Sequence, residues 1–232
     1  MISLRSGFKF FDRGFGKTLV LVPGWATDYR IFSGMELDYN YLLAQEIRLS
    51  SFVEDLNKVL EQCHLEKVSL LGYSLGGFLA KDFAVSFPKK IYELILVSIR
   101  KNYGANELDG VRRKLEKNKR AFLSGFYRDC FSASDEGRLW FAANLLKSYI
   151  DDMPIEGLLE GLDYLSTTSI GPKAFSALEK IRIFHGEEDR IAPFEEARGL
   201  ASELPRARFI GLPKMGHIPF LNSGFCEKFN NG

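Results

Sequence analysis

Three cysteines, three histidines and a formal net charge of only +1 are all that 232 residues supply of these kinds. Each scarcity excludes something. Cys63, Cys130 and Cys226 are odd in number and share no metal-ligand spacing. A disulfide scaffold and a zinc site are thereby excluded, and reduced, buried, structural thiols in a cytoplasmic protein are expected. The near-zero net charge argues against a general polyanion binder, nucleic acid included. No segment approaches the roughly 18 continuous apolar residues of a membrane span, and Met1–Phe8 lacks the apolar core of a signal peptide. A soluble cytoplasmic protein with no membrane contact is expected. No Pro/Gly/Ser-rich linker, internal repeat or low-complexity tract divides the chain. Its length and 46% hydrophobic content then suit one larger domain with a substantial core.

What is present alternates between strand and helix signals. Phe8–Asp12 and Thr18–Val22 read as strands parted by the turn Arg13-Gly-Phe-Gly16. Asn40–Ala44 is a weaker strand. Ser50 or Ser51 caps a helix reaching Cys63, with Phe52, Leu56, Val59 and Leu60 on one stripe. Val68–Leu71 is a strand, and Leu75, Phe78, Leu79, Phe83 and Phe87 carry a helix that Pro88 stops. Thr18–Val22 is continuously apolar, as a strand buried on both faces is, Ile91–Val97 is another buried strand, and Ile181–Phe184 resumes the alternation. A helix from about Phe194 to Leu204, a strand Ala207–Leu212 and a short helix near Ser223–Phe229 complete the series. The alternation predicts an α/β fold, a mostly parallel sheet flanked by helices, with ligands bound at the carboxyl ends of the strands. Residues 100–170 break the rhythm with helical segments and no convincing strand. They predict an inserted helical cap on a core made of 1–99 and 171–232.

Gly72-Tyr-Ser-Leu-Gly76 stands between a predicted strand and a predicted helix. A serine on such a turn needs unusual backbone angles and side-chain-free neighbours. The pentapeptide alone would arise by chance in about one such chain in ten. Its context adds to it. Serine is a poor nucleophile at neutral pH unless an imidazole takes its proton and a carboxylate orients that imidazole. Strand 181–184 runs into His185-Gly-Glu-Glu-Asp189, and strand 207–212 runs into Gly216-His217-Ile-Pro-Phe220. Ser74, Asp189 and His217 each follow a strand and are the predicted catalytic residues, with Glu187 and Glu188 as weaker acid candidates. His64, after a helix, reads as a solvated end residue, and His185 as a hydrogen-bonded structural group. An oxyanion needs two donors. The N–H of Leu75 follows the nucleophile, and the N–H of Trp25 lies in the loop Pro23-Gly-Trp-Ala-Thr-Asp28. No metal or organic cofactor is called for.

With these residues in view, the chain resembles the α/β-hydrolases from end to end. Within them it is similar to the pimeloyl-[acyl-carrier protein] methyl ester esterases of biotin synthesis. The motifs are Val22-Pro-Gly-Trp25, Gly72–Gly77, His185–Asp189, Gly216–Leu221 and, late in the cap, Gly157–Leu165. The resemblance implies a triad of Ser74, Asp189 and His217 with Trp25 and Leu75 at the oxyanion hole, and hydrolysis of a carrier-linked methyl ester through an acyl-enzyme. A general short-chain esterase or thioesterase, or a ligand receptor of low turnover, are the alternatives. Pro23-Gly24 stands where the family has His-Gly, residues 28–50 lack its Asp-x-x-Gly-x-Gly-x-Ser loop, and the last helix is brief.

Val111–Arg128 carries seven basic residues against one acid, whereas Tyr149–Tyr164 carries five acids and no base. The acidic run reads as a solvated helix face. In the resembled family cap arginines receive an acidic acyl-carrier protein and its phosphopantetheine phosphate. That implies a docking role for Arg112, Arg113, Lys117 and Arg120. The cap aromatics Phe122, Phe126, Tyr127, Phe131, Trp140 and Phe141 suit an acyl pocket and core packing equally. Nothing in the sequence demands more than a monomer.

Overall fold

The buried strands read from the sequence form the middle of one sheet. The computed structural model describes residues 2–4, 7–204 and 206–231. Among these, the strands are β1 (Ile2–Leu4), β2 (Phe8–Phe11), β3 (Thr18–Val22), β4 (Asn40–Ala44), β5 (Val68–Tyr73), β6 (Ile91–Val97), β7 (Ile181–Gly186) and β8 (Ala207–Leu212). Their order across the sheet is β1-β2-β4-β3-β5-β6-β7-β8. Pairing is parallel from β4 to β8 and antiparallel where β2 meets β1 and β4.

Alternation along the strands assigns their side chains to two layers. Val20, Val22, Leu70 and Leu96 pack on one side with Phe52, Leu56, Phe78, Leu79 and Leu200. Leu19, Leu21, Leu71, Ile95 and Val97 pack on the other with Phe184, Phe220, Phe225 and Phe229. Burying each such side chain stabilises the fold by ~1.5–3 kcal/mol. Helices α1 (Phe52–Gln62) and α2 (Leu75–Ser86) cover the first layer. The stripe predicted for α1 is buried at Phe52, Leu56, Val59 and Leu60.

Between β6 and β7 the chain forms α3 (Ala105–Lys117), α4 (Lys119–Asp129), α5 (Gly137–Asn144), α6 (Leu146–Asp152) and α7 (Ile155–Thr167). The segment predicted as a cap thus holds no strand among the described residues. Helices α8 (Phe194–Ser202) and α9 (Ser223–Asn231) follow. Among the described residues no helix is long and apolar enough to cross a membrane.

The sequence reading omitted β1. Its three residues carry no recognisable pattern of their own and become a strand by pairing with β2, Ile2 opposite Phe10. Residues 28–50, which lack the family loop, are held by a short helical turn at Tyr29–Phe32 that Asp28 caps and that buries Ile31 and Phe32.

Candidate active site

Strand register brings the chemistry to one edge. Val22 pairs with Gly72, Tyr73 with Val97, Val97 with Phe184, and Gly186 with Leu212. The parallel strands β3, β5, β7 and β8 therefore end level with one another. The loops that follow them carry Trp25, Ser74, Asp189 and His217.

Ser74 sits at φ 52°, ψ −118° between β5 and α2. A non-glycine residue there holds backbone strain of about 1–3 kcal/mol. Ala26 after β3, Ser98 after β6 and Lys214 after β8 are also at positive φ, so strained backbone gathers at this end of the sheet. The elbow glycines are required by space. A Cβ on Gly72 would lie 2.6 Å from the Gly77 Cα, and one on Gly76 would lie 2.5 Å from the Pro23 carbonyl oxygen. Strand, helix and the loop after β3 approach too closely for any side chain.

The three predicted side chains meet in one line. Ser74 Oγ is 3.0 Å from His217 Nε2, and His217 Nδ1 is 2.7 Å from Asp189 Oδ2. A carboxylate accepts, so Nδ1 carries the proton and Nε2 is left to accept from the serine hydroxyl. Asp189 Oδ1 receives the backbone N–H groups of Ile191 at 2.8 Å and Ala192 at 2.9 Å. Ser74, His217 and Asp189 are buried, whereas Glu187 and Glu188 are exposed. Burial alone would raise the Asp189 pKa. The positive charge available on His217, the nearby His185 ring and the hydrogen bond from His217 outweigh it, holding the carboxyl well below the usual range. His64 is exposed at the end of α1.

The cap is tied to these loops at several points. Trp25 Nε1–H donates to the Leu158 carbonyl at 2.8 Å, and Tyr127 Oη–H donates to the Ala26 carbonyl at 2.5 Å. The His217 N–H donates to the Cys130 carbonyl at 2.7 Å. Asp135, buried, accepts from the N–H of Ser132 at 2.5 Å, the N–H of Gly216 at 3.1 Å and Asn222 Nδ2 at 3.0 Å. Burial pushes its carboxyl upward despite these donors. The residue before His217 is thus clamped to the cap, a contact that no local sequence signal announced.

Ser74 opens into a mostly apolar cavity of about 160 Å³ whose walls include Trp25, Tyr103, Val111, Phe122, Phe126 and Leu162. Trp25 meets Phe126 edge-on with ring centroids 5.1 Å apart. Tyr103 was not singled out in the sequence, because it lies in an unpatterned loop. Burial pushes its phenol upward. Trp25 also lines a second cavity of about 280 Å³ with Gly24, Leu75, Met153 and Leu158. Of the predicted cap aromatics, Tyr127, Phe131 and Phe141 are buried in the core cluster rather than in the cavity wall. Among the described residues no cluster of three His, Cys, Asp or Glu side chains is arranged to hold a metal.

The charged runs of the cap meet each other. Arg112 is ion-paired with Asp163 and Arg120 with Asp151. Lys119 donates to the carbonyls of Asp151 and Met153. The acidic run is therefore partly a partner for the basic one and not simply a solvated face. Arg113 and Lys117 are exposed, with no acidic partner among the described residues.

A parallel sheet with an elbow serine after β5, an acid after β7, a histidine after β8 and helices inserted after β6 defines the architecture of an α/β-hydrolase. A family model for the alpha/beta hydrolase fold matches residues 13–223, and the chain belongs to that family. It is 25% identical over 245 residues to a pimeloyl-[acyl-carrier protein] methyl ester esterase of Nitrosomonas europaea, covering 93% of this chain and 94% of that protein. It is also 25% identical over 242 residues to a 2-hydroxy-6-oxononadienedioate/2-hydroxy-6-oxononatrienedioate hydrolase of Paraburkholderia phymatum, covering 95% of this chain and 76% of that one. Among solved structures, a hydrolase from Oleispira antarctica matches with a TM-score of 0.82 over 98% of this chain and 94% of that chain, at 13% identity.

Proposed function

We propose that the protein is a serine carboxylesterase that works through an acyl-enzyme. The observation that carries this reading is the hydrogen-bonded line from Ser74 Oγ through His217 to Asp189 at the edge of an apolar cavity. Ser74 attacks the ester carbonyl while His217 Nε2 takes its proton. Asp189 keeps the imidazole in the right tautomer and stabilises its cation. The N–H groups of Trp25 and Leu75 receive the oxyanion. Leu75 opens α2, where an amide has no carbonyl one turn earlier to pair with. Each such donor is worth ~3 kcal/mol in the transition state. His217 then protonates the departing alcohol and activates water for deacylation.

For the substrate we favour the methyl ester of pimeloyl-acyl-carrier protein, hydrolysed in the cytoplasm to free the distal carboxylate. Support comes from the similarity over nearly the whole chain to pimeloyl-[acyl-carrier protein] methyl ester esterases, and from the exposed bases Arg113 and Lys117 on the helix that carries the pocket-lining Val111. The carrier would dock on α3 and α4, with Arg112 and Arg120 contributing once their internal partners yield. The test uses purified enzyme and a Ser74→Ala variant on p-nitrophenyl butyrate and on the carrier-linked methyl ester. Both activities should fall at least ~10⁴-fold in the variant. Turnover surviving in Ser74→Ala would end the serine mechanism. Hydrolysis of the nitrophenyl ester without the carrier ester, and no restoration of biotin-free growth to an esterase-deficient strain, would leave only a general esterase. The similarity to a dienedioate hydrolase supports a second reading, cleavage of a carbon–carbon bond by the same residues, and a vinylogous diketone substrate would reveal it.

A further inference from the structure

His185 lies in β7 opposite Gly211 of β8 and is fully buried. It has no place in the proton relay, yet it touches it. Its Nε2 is 2.7 Å from the Ala192 carbonyl oxygen. That oxygen only accepts, so the ring proton sits on Nε2. The same nitrogen is 3.3 Å from Asp189 Oδ2, the oxygen that receives His217. Ala192 in turn gives its own N–H to Asp189 Oδ1. One imidazole therefore braces both the carboxylate and the turn that carries it. The other ring nitrogen, Nδ1, is buried with no hydrogen-bond partner among the described residues. A bare lone pair in the interior costs little compared with a bare cationic N–H. Protonating the ring would create a buried donor with nothing to receive it.

We propose that His185 is a positioning residue for Asp189: a neutral imidazole whose Nε2–H holds the Ala192 carbonyl and turns its positive end toward Asp189 Oδ2. The proposal rests on the serine-hydrolase reading above, with Asp189 as the acid. Two backbone donors fix Oδ1, and two imidazoles share Oδ2. The carboxylate then has one orientation in which to hold His217. Part of its charge is also engaged by His185, which limits how far Asp189 strengthens His217 as a base. The groups facing the ring are Asp189 on the following loop, His217 beyond that carboxylate, and the uncharged Gly211 of β8 and Phe194 of α8. Glu187, next to Gly211, is exposed to solvent.

The test compares the full-length parent with His185→Leu, which has no donor, and His185→Gln, whose amide N–H reaches toward the place of Nε2. Ser74→Ala serves as control. Rates on p-nitrophenyl butyrate are followed from pH 5 to 9. His185→Leu is expected to lower kcat about 10- to 100-fold with KM within ~2-fold. It should also move the acid limb of the kcat/KM profile upward, as Asp189 turns wholly to His217. His185→Gln should recover most of the rate and the parental limb. A folded His185→Leu with parental kcat and acid limb would overturn the proposal, and so would a folded His185→Gln as impaired as the leucine variant. If neither variant folds, ¹⁵N-histidine NMR of the parent decides. In its neutral form the His185 ring should carry its proton on Nε2. A proton on Nδ1 instead would refute the idea. Turnover surviving in Ser74→Ala would instead sink the underlying mechanism, and the NMR result would still report on His185.

Discussion

Replacing Asp189 by asparagine changes one atom, and the surrounding donors dictate where the new amide must point. Oδ1 faces the N–H groups of Ile191 and Ala192. An NH₂ group there would oppose two donors in a buried site, so the amide oxygen must take that position. The NH₂ group is then left facing His217 Nδ1, where the carboxylate oxygen stood at 2.7 Å. A donor on that side forces the ring proton onto Nε2, the nitrogen that faces Ser74 Oγ. The serine then meets an N–H and has no base. The expected loss is about 10⁴-fold in kcat, or ~5.4 kcal/mol of transition-state stabilisation. KM should hold within ~3-fold, because the cavity walls are untouched. Steady-state rates on p-nitrophenyl butyrate measure it, with circular dichroism to establish that the variant is folded. Glu188→Gln is the control, since Glu188 is exposed and should be silent. A folded Asp189→Asn variant within ten-fold of the parental kcat would refute the assignment of the acid.

The ionised form of Asp189 is favoured by folding, so its contribution to stability is complete above the unfolded value of about 3.9 and is lost as pH falls through the lower folded value. The difference in urea midpoint between the parent and Asp189→Asn should therefore narrow below about pH 4, and widening there would contradict the sign. Gly161→Ala would place a Cβ 2.5 Å from Trp25 Cδ1. It should cost about 1–3 kcal/mol in urea unfolding and lower kcat more than it raises KM, whereas parental values would show that the cap has room to move. Asp135→Ala strands the N–H groups of Ser132 and Gly216 and the amide of Asn222. It should destabilise the protein by roughly 2–4 kcal/mol, and a loss below half a kcal/mol would mean that water replaces the carboxylate. Reversing Arg113 and Lys117 to glutamate should raise KM for the carrier-linked ester by about 5- to 20-fold at low salt and much less at high salt. Rates on the nitrophenyl ester should not change, and equal KM values at low salt would remove these residues from docking.

What could be read in the sequence followed from short-range physics. Thr18–Val22 announces itself because a strand buried on both faces has few polar positions to interrupt it, and Pro88 marks the end of α2 because proline cannot continue a helix. Ser74, Asp189 and His217 were found through an ordering rule, each just past a strand, and parallel register converts that rule into proximity. The contacts that were not legible all join segments far apart in the chain. Arg112 and Asp163 are 51 residues apart, Arg120 and Asp151 are 31 apart, and Asp135 and Gly216 are 81 apart. Composition gives the sign of each charge but not which helix faces it. The basic run on α3 and α4 therefore looks like a free field in sequence, while in the fold the acidic run on α6 and α7 neutralises part of it. That changes what a carrier protein would meet. It would be steered by Arg113 and Lys117, and to engage Arg112 or Arg120 it would have to displace Asp163 or Asp151. Exposed ion pairs of this kind are worth about 0.2–1 kcal/mol, a cost that an acidic partner supplying several carboxylates or a phosphate readily offsets. The cap is thus better suited to exchanging internal partners for external ones than to presenting a permanently open patch, and its salt dependence should reflect fewer charges than the sequence displays.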